Sequence, residues 1–265
     1  MLFAAKGAHV VFGDIDSSRG ASIAQSISRK THFVCTDVTS YGSLLGLFDK
    51  ALALYGRVDI AISNAAIIEQ PGWFSPSLDL DSVRQAPSTA VIEVNLTGTL
   101  YFAHIAAVYL RKDAKPEHDK SLVLLSSVAG FEESPGLFVY QASKHGVLGL
   151  MRSLRRYLPG AYGDCRLRVN CICPWATETA MVRTFQAAWS QEGLPMNSAE
   201  DVAQMILGVT VDENLNGESI YVEAGRGWAM EEGLERTQPQ WLGESAASNL
   251  AKGQAFLGSG SKWSD

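Results

Sequence analysis

The chain has 265 residues, 46% of them hydrophobic, which suits a single α/β domain with a large core. Its formal charge of −6 argues against nucleic acid or anionic membrane as a partner. Cys35, Cys165, Cys171 and Cys173 show no C-x-x-C spacing and the histidines do not cluster, so no metal site is expected.

In chain order, Met1 to Ala8 reads as the last turns of a helix, with Gly7 as its stop. Strand-like runs follow at 8–13, 31–35, 58–63, 120–126, 166–172 and 219–222. Helical patterns fill the gaps at 17–29, 41–55, 87–111, 138–158, 179–190 and 198–208. Pro87 with Ser88 and Thr89 marks the start of the long helix through Asn95, and Pro159-Gly160 marks the end of the helix at 138–158. Alternating strand and helix predicts parallel strands joined by crossovers. Residues 227–265 lose periodicity and read as an extension ending in a loose tail at Gly258 to Lys262, so the expected domain is 1–226. No apolar run reaches the ~18 residues of a membrane span, and Lys6 and His9 interrupt any leader-like start. Cys171 and Cys173 fall on one face of a strand and are expected as buried free thiols, which fits a cytoplasmic protein.

The chemistry centres on Tyr140-Gln141-Ala142-Ser143-Lys144. A tyrosine and a lysine four apart share one helix face, and an ammonium beside a phenol favours phenolate, which suits a general acid/base near neutral pH. Ser127 follows the apolar run Leu122 to Leu125, so its hydroxyl is expected at the C-terminal end of a parallel strand, where open α/β sheets bind ligands.

These residues resemble the short-chain dehydrogenase/reductase family, and the likeness runs from about Lys6 to Arg226. Further blocks stand in the family's order: Val10 to Asp14, Cys35 to Val38, Ser63-Asn64-Ala65-Ala66, Asn95 to Gly98, Ser126 to Gly130, and Arg168 to Pro174. The resemblance implies a doubly wound, Rossmann-like parallel sheet with helices on both faces. It implies a nicotinamide cofactor, NAD with NADP as the alternative, and interconversion of a secondary alcohol and a ketone. It makes Tyr140 the acid/base, Lys144 its partner and a ligand of the nicotinamide ribose, Ser127 the oxyanion donor, and Asn95 the holder of a relay water. It also implies that Asp14 takes the adenosine ribose hydroxyls and repels a 2′-phosphate. Asp37 and Val38 would meet the adenine, Asn64 and Ala65 the adenosine ribose, and Thr177 and Thr179 the carboxamide and phosphate. For Asn95 an alternative is a buried amide satisfying a neighbouring backbone; for Asp14 it is a helix N-terminal acid, and for Asp37 a simple helix cap.

Three departures matter. The family opens with a strand, a glycine-rich turn and a helix, and no such turn stands in this sequence. The first strand of the sheet is therefore expected to be missing, leaving unpaired edges, an open core and weak binding of NAD(H). Two explanations are open: Met1 is an internal methionine of a longer chain, or the chain is unstable or silent. Trp175 replaces a glycine after Pro174 and needs a partner for its indole N–H. Ala66 likewise replaces a glycine. The segment after Thr179, with Met181, Phe185, Trp189, Leu194 and Met196, suits either an apolar substrate lid or ordinary packing. The C-terminal Gly217 to Glu223 and Trp241-Leu242-Gly243 are similar to fungal secondary-metabolism members, of the 5′-hydroxyaverantin and 15-hydroxyprostaglandin dehydrogenase types. That suggests a polyketide or polycyclic substrate. The family likeness also implies a homo-oligomer, a tetramer or dimer, through helices 87–111 and 138–158, where Ala103, Ala106, Ala107, Gly146 and Gly149 would allow close approach. The competing function is a non-catalytic binding or scaffold protein.

Overall fold

Hydrophobic runs bounded by turns become buried parallel strands, and helices cover both of their faces. The computed structural model describes residues 1–161 and 165–258. In it β1 (Val10–Asp14) pairs in parallel with β2 (Thr31–Cys35). A second sheet holds β3 (Ile60–Ser63), β4 (Asp119–Leu125), β5 (Arg166–Pro174) and β6 (Ser219–Glu223), all parallel, with β7 (Arg226–Ala229) antiparallel at its edge. Among the described residues no ladder joins the two sheets, so the expected unpaired edges are present on β1 and β3.

Leu122, Val123 and Leu124 of β4 are all fully buried, with alternate side chains on opposite faces. Leu122 and Leu124 meet α3 (Tyr41–Tyr55), α5 (Gly98–Tyr109) and α6 (Phe138–Ala161), through Phe48, Phe102 and Met151. Val123 meets Val202, Ile206 and Val209 of α8 (Ala199–Val211). Phe3, from the short α1 (Leu2–Ala5), joins this second cluster, and Gly7 ends that helix with φ +91° as expected. A strand buried on both faces reads as a continuous apolar run, which is why β4 and β5 were legible. α2 (Ser17–Ile27) lies against β2, where Gly20 leaves room for the Phe33 ring.

Several boundaries differ from expectation. The long helix starts at Ala90, not Pro87: α4 (Ala90–Ile92), a π-helical turn (Glu93–Thr97) and α5 run on as one. That helix, Ala90–Tyr109, is long and apolar enough to cross a membrane by length and composition, against the expectation of no such segment. It nevertheless packs against the sheet and α3 as a core helix. α6 continues through Pro159-Gly160 to Ala161. The expected helix at 179–190 is a 3₁₀ turn (Ala180–Val182) followed by α7 (Gln186–Gln191). Ala106 and Gly146, expected at a subunit interface, serve the chain's own packing: Ala106 lies in the core and Gly146 abuts Leu96.

The extension after Arg226 is more ordered than its composition suggests. It forms β7, α9 (Glu231–Leu242) and α10 (Glu244–Leu257); of the expected tail, residues 259–262 lie outside the described residues. Its anchor is Glu231, almost fully buried, which accepts from Arg152 Nε and Nη2 at 3.0 and 2.9 Å and from Arg155 Nη1 at 3.0 Å, and takes the Ser219 hydroxyl at 2.5 Å. A buried carboxylate is tolerable when it is paired and hydrogen-bonded in this way.

Candidate active site

All the residues expected to bind or react stand at the C-terminal ends of strands or on the helices that follow. Asp14 ends β1, Asp37 and Val38 follow β2, Asn64 and Ala65 follow β3, Ser127 follows β4, and Thr177 and Thr179 follow β5. This is where an open α/β sheet holds its ligand.

Tyr140 and Lys144 lie one turn apart on α6, and both are buried. Lys144 Nζ donates to the carbonyl of Leu125, the last residue of β4, at 3.0 Å, and stands 5.6 Å from the centroid of the Tyr140 ring. Burial lowers the Lys144 ammonium from 10.5 to about 8, opposed by its buried neighbours Cys171 and Cys173. The expectation that Lys144 pulls the phenol down is not met. Burial pushes the Tyr140 phenol up, and the opposing pull comes from the neighbouring Ser127 hydroxyl. The physical reason is placement: the ammonium lies over the ring, and desolvation disfavours both charged forms. Ser127 extends from the strand end with its Oγ also accepting from Ala129 N–H at 3.2 Å, so the hydroxyl is oriented. Beside it, Ser126 donates to the Lys144 carbonyl at 2.8 Å and fixes the helix to the strand.

Asn95 sits in the π-helical turn, 1% exposed. Its Oδ1 accepts from Ile67 N–H at 2.8 Å, and its Nδ2 donates to the Ile67 carbonyl at 2.9 Å and to Ser143 Oγ at 3.2 Å. The side chain thus satisfies a neighbouring backbone, the alternative raised by the sequence, and it makes no direct bond to Lys144. Ser143 Oγ in turn donates to the Tyr140 carbonyl at 2.6 Å.

At the other end of the crevice Asp14 is exposed and takes Asp16 N–H on Oδ1 at 2.9 Å, while Asp16 caps α2 through Arg19 N–H. Asp37 does not cap the next helix, since Ser40 does. It closes its own turn by accepting from the N–H and hydroxyl of Thr39 at 2.9 and 2.7 Å. Val38 packs against Gly98, where an added Cβ would approach its Cγ2 to 3.0 Å. Asn64 and Ala65 are exposed beyond β3. Thr177 donates to the Trp175 carbonyl at 2.9 Å, and Thr179 is exposed at the start of the 3₁₀ turn.

Asn197 carries no local signal in the sequence, yet its fully buried amide donates to the Val222 carbonyl at 2.9 Å and accepts from Gly225 N–H at 3.1 Å. It bridges the loop at Thr177 to the end of β6. Nor was Glu69 visible, whose carboxylate accepts from both Val139 and Tyr140 N–H. Such partners lie tens of residues away and carry no local pattern. Trp175 is the centre of an aromatic run: it lies 5.2 Å from Trp189 and 6.4 Å from Tyr221, and Tyr221 lies 5.9 Å from Phe131. The Trp175 indole N–H is buried without a partner.

Comparison with known proteins agrees with this geometry. The sequence model described as short chain dehydrogenase matches residues 1–189. The 5′-hydroxyaverantin dehydrogenase of Dothistroma septosporum is 32% identical over 242 residues, covering 83% of this chain and 78% of that one. The short-chain dehydrogenase/reductase prx4 of Penicillium rubens is 30% identical over 273 residues, covering 96% and 78%. In fold, the chain is similar to the 3-ketoacyl-(acyl-carrier-protein) reductase from Brucella melitensis complexed with NADH, with a TM-score of 0.72 at 22% identity, covering 84% of this chain and 90% of that one. The strand-end site, the ordered motifs and these matches together place the chain in the short-chain dehydrogenase/reductase family of NAD(P)-dependent oxidoreductases.

Proposed function

We propose that this protein interconverts a secondary alcohol and a ketone on a largely apolar, polyketide-like or polycyclic substrate of secondary metabolism, with NAD as its preferred cofactor. The observation that carries the reading is that Tyr140 and Lys144 are buried one turn apart on α6, with the ammonium 5.6 Å from the ring centroid and held on the Leu125 carbonyl, at the strand end that Ser127 follows. A scaffold has no need of that trio. The aromatic run around Trp175 and the likeness to the 5′-hydroxyaverantin dehydrogenase support the substrate class.

The residues present fit a nicotinamide dinucleotide at both ends. Asp14, the Asp37–Val38 turn and the Asn64–Ala65 backbone suit the adenosine, and Lys144 and Thr177 suit the nicotinamide riboside. No glycine-rich turn stands at a strand end among the described residues to take the pyrophosphate. When bound, the nicotinamide supplies or accepts hydride at the carbinol carbon. In reduction, the Tyr140 hydroxyl gives its proton to the carbonyl oxygen while the Ser127 hydroxyl donates to the same oxygen. In oxidation, Tyr140 takes the proton back. The ammonium of Lys144 offsets the charge that develops on the phenol.

Tyr140→Phe should abolish turnover and leave cofactor binding nearly intact, since removing a general acid/base lowers rates about 10²–10⁴-fold. Steady-state kinetics on a candidate ketone check this, and a variant retaining above about a tenth of wild-type kcat contradicts it.

Lys144 also sets a pH signature of stability. It titrates at about 8 folded and 10.5 unfolded, so between these values the unfolded chain holds the extra proton. Stability from this group therefore rises with pH across that window, and its penalty is full below about pH 8. Urea unfolding of wild type and Lys144→Met should show this rise in the wild type alone; parallel profiles would refute it.

Asp14 should favour NAD over NADP by ribose hydrogen bonds and charge repulsion. Each charge-assisted bond is worth about 1.5–3 kcal/mol, so a ten- to hundredfold preference in kcat/KM is expected, roughly, and Asp14→Ala should erode it by weakening NAD. Arg19, in the first turn of α2, is the residue able to offset the repulsion. Equal kcat/KM for the two cofactors in the wild type would remove Asp14 as the selector.

The homo-oligomer remains part of the proposal. A groove of about 280 Å³ between α5 and α6, lined by Leu100, His104, Ala107, Val108, Leu150 and Leu154, offers an apolar face for a second copy. Light scattering should give a multiple of the chain mass; a monomer would contradict it.

A further inference from the structure

Helix α6 carries the reacting side chains, yet its own sequence cannot cap it. The first N–H groups of a helix lack partners within it, and a polar side chain at the residue before usually supplies one. Here that residue is Leu137. The missing acceptor comes from the far side of the crevice. Glu69 Oε2, on the segment beyond β3, accepts from Val139 N–H at 2.9 Å and from Tyr140 N–H at 2.7 Å. An anionic acceptor at a helix N-terminus also meets the positive end of the helix dipole.

Glu69 is itself held. Its segment is clasped two residues earlier by Asn95, which binds both the N–H and the carbonyl of Ile67. Asn95 also reaches Ser143 Oγ, and that hydroxyl grips the Tyr140 carbonyl. The backbone of Tyr140 is thus fixed at its N–H by Glu69 and at its carbonyl by Ser143, with Asn95 tying the two together. The second oxygen, Glu69 Oε1, is buried without a partner. Leaving one carboxylate oxygen buried and unsatisfied is costly, so the two bonds made by the other oxygen are the interaction that holds the side chain in place.

We infer that Glu69 is a positioning residue for Tyr140: by capping α6 across the crevice it sets the height and direction of the phenol toward the Ser127 hydroxyl. The inference rests on the assignment of Tyr140 as acid/base. Its role differs from that of Lys144, because Glu69 touches no reacting atom and acts through the backbone.

The test uses the full chain with NADH and 1-tetralone as the probe ketone, and amide hydrogen exchange of peptides covering Val139 and Tyr140. Losing a cap of this kind is worth about tenfold, so Glu69→Ala should lower kcat about tenfold, leave the KM for NADH within about twofold, and speed exchange at those amides about tenfold. Glu69→Gln keeps an acceptor oxygen and should restore kcat to within about threefold of wild type. In a Tyr140→Phe background Glu69→Ala should add no further loss. Wild-type exchange in Glu69→Ala, or an equal loss of kcat in both backgrounds, overturns the inference. Where Glu69→Ala does not fold, the glutamine variant decides, and one as slow as Tyr140→Phe overturns it. A Tyr140→Phe protein as active as wild type sinks the acid/base assignment instead, and the cap then stands or falls on exchange alone.

Discussion

Lys144 carries its ammonium into a place where one strand-end carbonyl and the face of a phenol ring receive it. An ion so sparsely solvated holds its proton loosely, and burial pushes its pKa down to about 8. Much of the architecture follows from keeping the group there. β4 and β5 are buried on both faces, so the Leu125 carbonyl is rigidly placed. Ser126 bonds the Lys144 carbonyl, so strand and helix move as one piece. Around the pair Ser126, Ser143 and Asn95 are all hydrogen-bonded, while Glu69 Oε1 and the Trp175 indole N–H are buried exceptions at the site.

Asn95 does structural work at the site that its sequence position alone does not reveal. Both ends of its amide are taken up by Ile67 and Ser143, and it stands in a π-helical turn, a form of bulge often found at functional sites. Its hydrogen bonds order the segment leading to Glu69 and the helix bearing Tyr140. The amide thereby shapes the site through backbone placement.

Much of the fold was legible because its cues are local. Fully buried strands read as unbroken apolar runs, and the Tyr140–Lys144 spacing puts both side chains on one helix face. Ser198 and Asp201 form a reciprocal cap that a sequence reader can find three residues apart. What escaped depends on distance in sequence. Glu69 meets Tyr140 from 71 residues away, Arg152 meets Glu231 from 79, and Asn197 meets Val222 from 25. The α9–α10 extension was missed because its order rests on such a distant ion pair, with Gly and Gln weakening the helical pattern. The direction of the Tyr140 shift was missed because residue spacing reports proximity, and says nothing of desolvation.

The division of the sheet bears on how ligand and fold are linked. Asp14 and the Asp37–Val38 turn belong to the β1–β2 pair, whereas Ser127, Tyr140 and Lys144 hang on the five-stranded sheet. The two are held in register by side chains: Leu47 of α3 lies over Gly13, Phe48 packs 5.0 Å from Phe102, and Val38 rests on Gly98. A dinucleotide reaching from Asp14 to Lys144 would cross that seam and act as a brace between two sheets that no ladder joins among the described residues. Its affinity and the alignment of the halves would then be one quantity read from either side, and loosening the α3–α5 contact at Phe48 would be felt at the adenosine end as much as in the core.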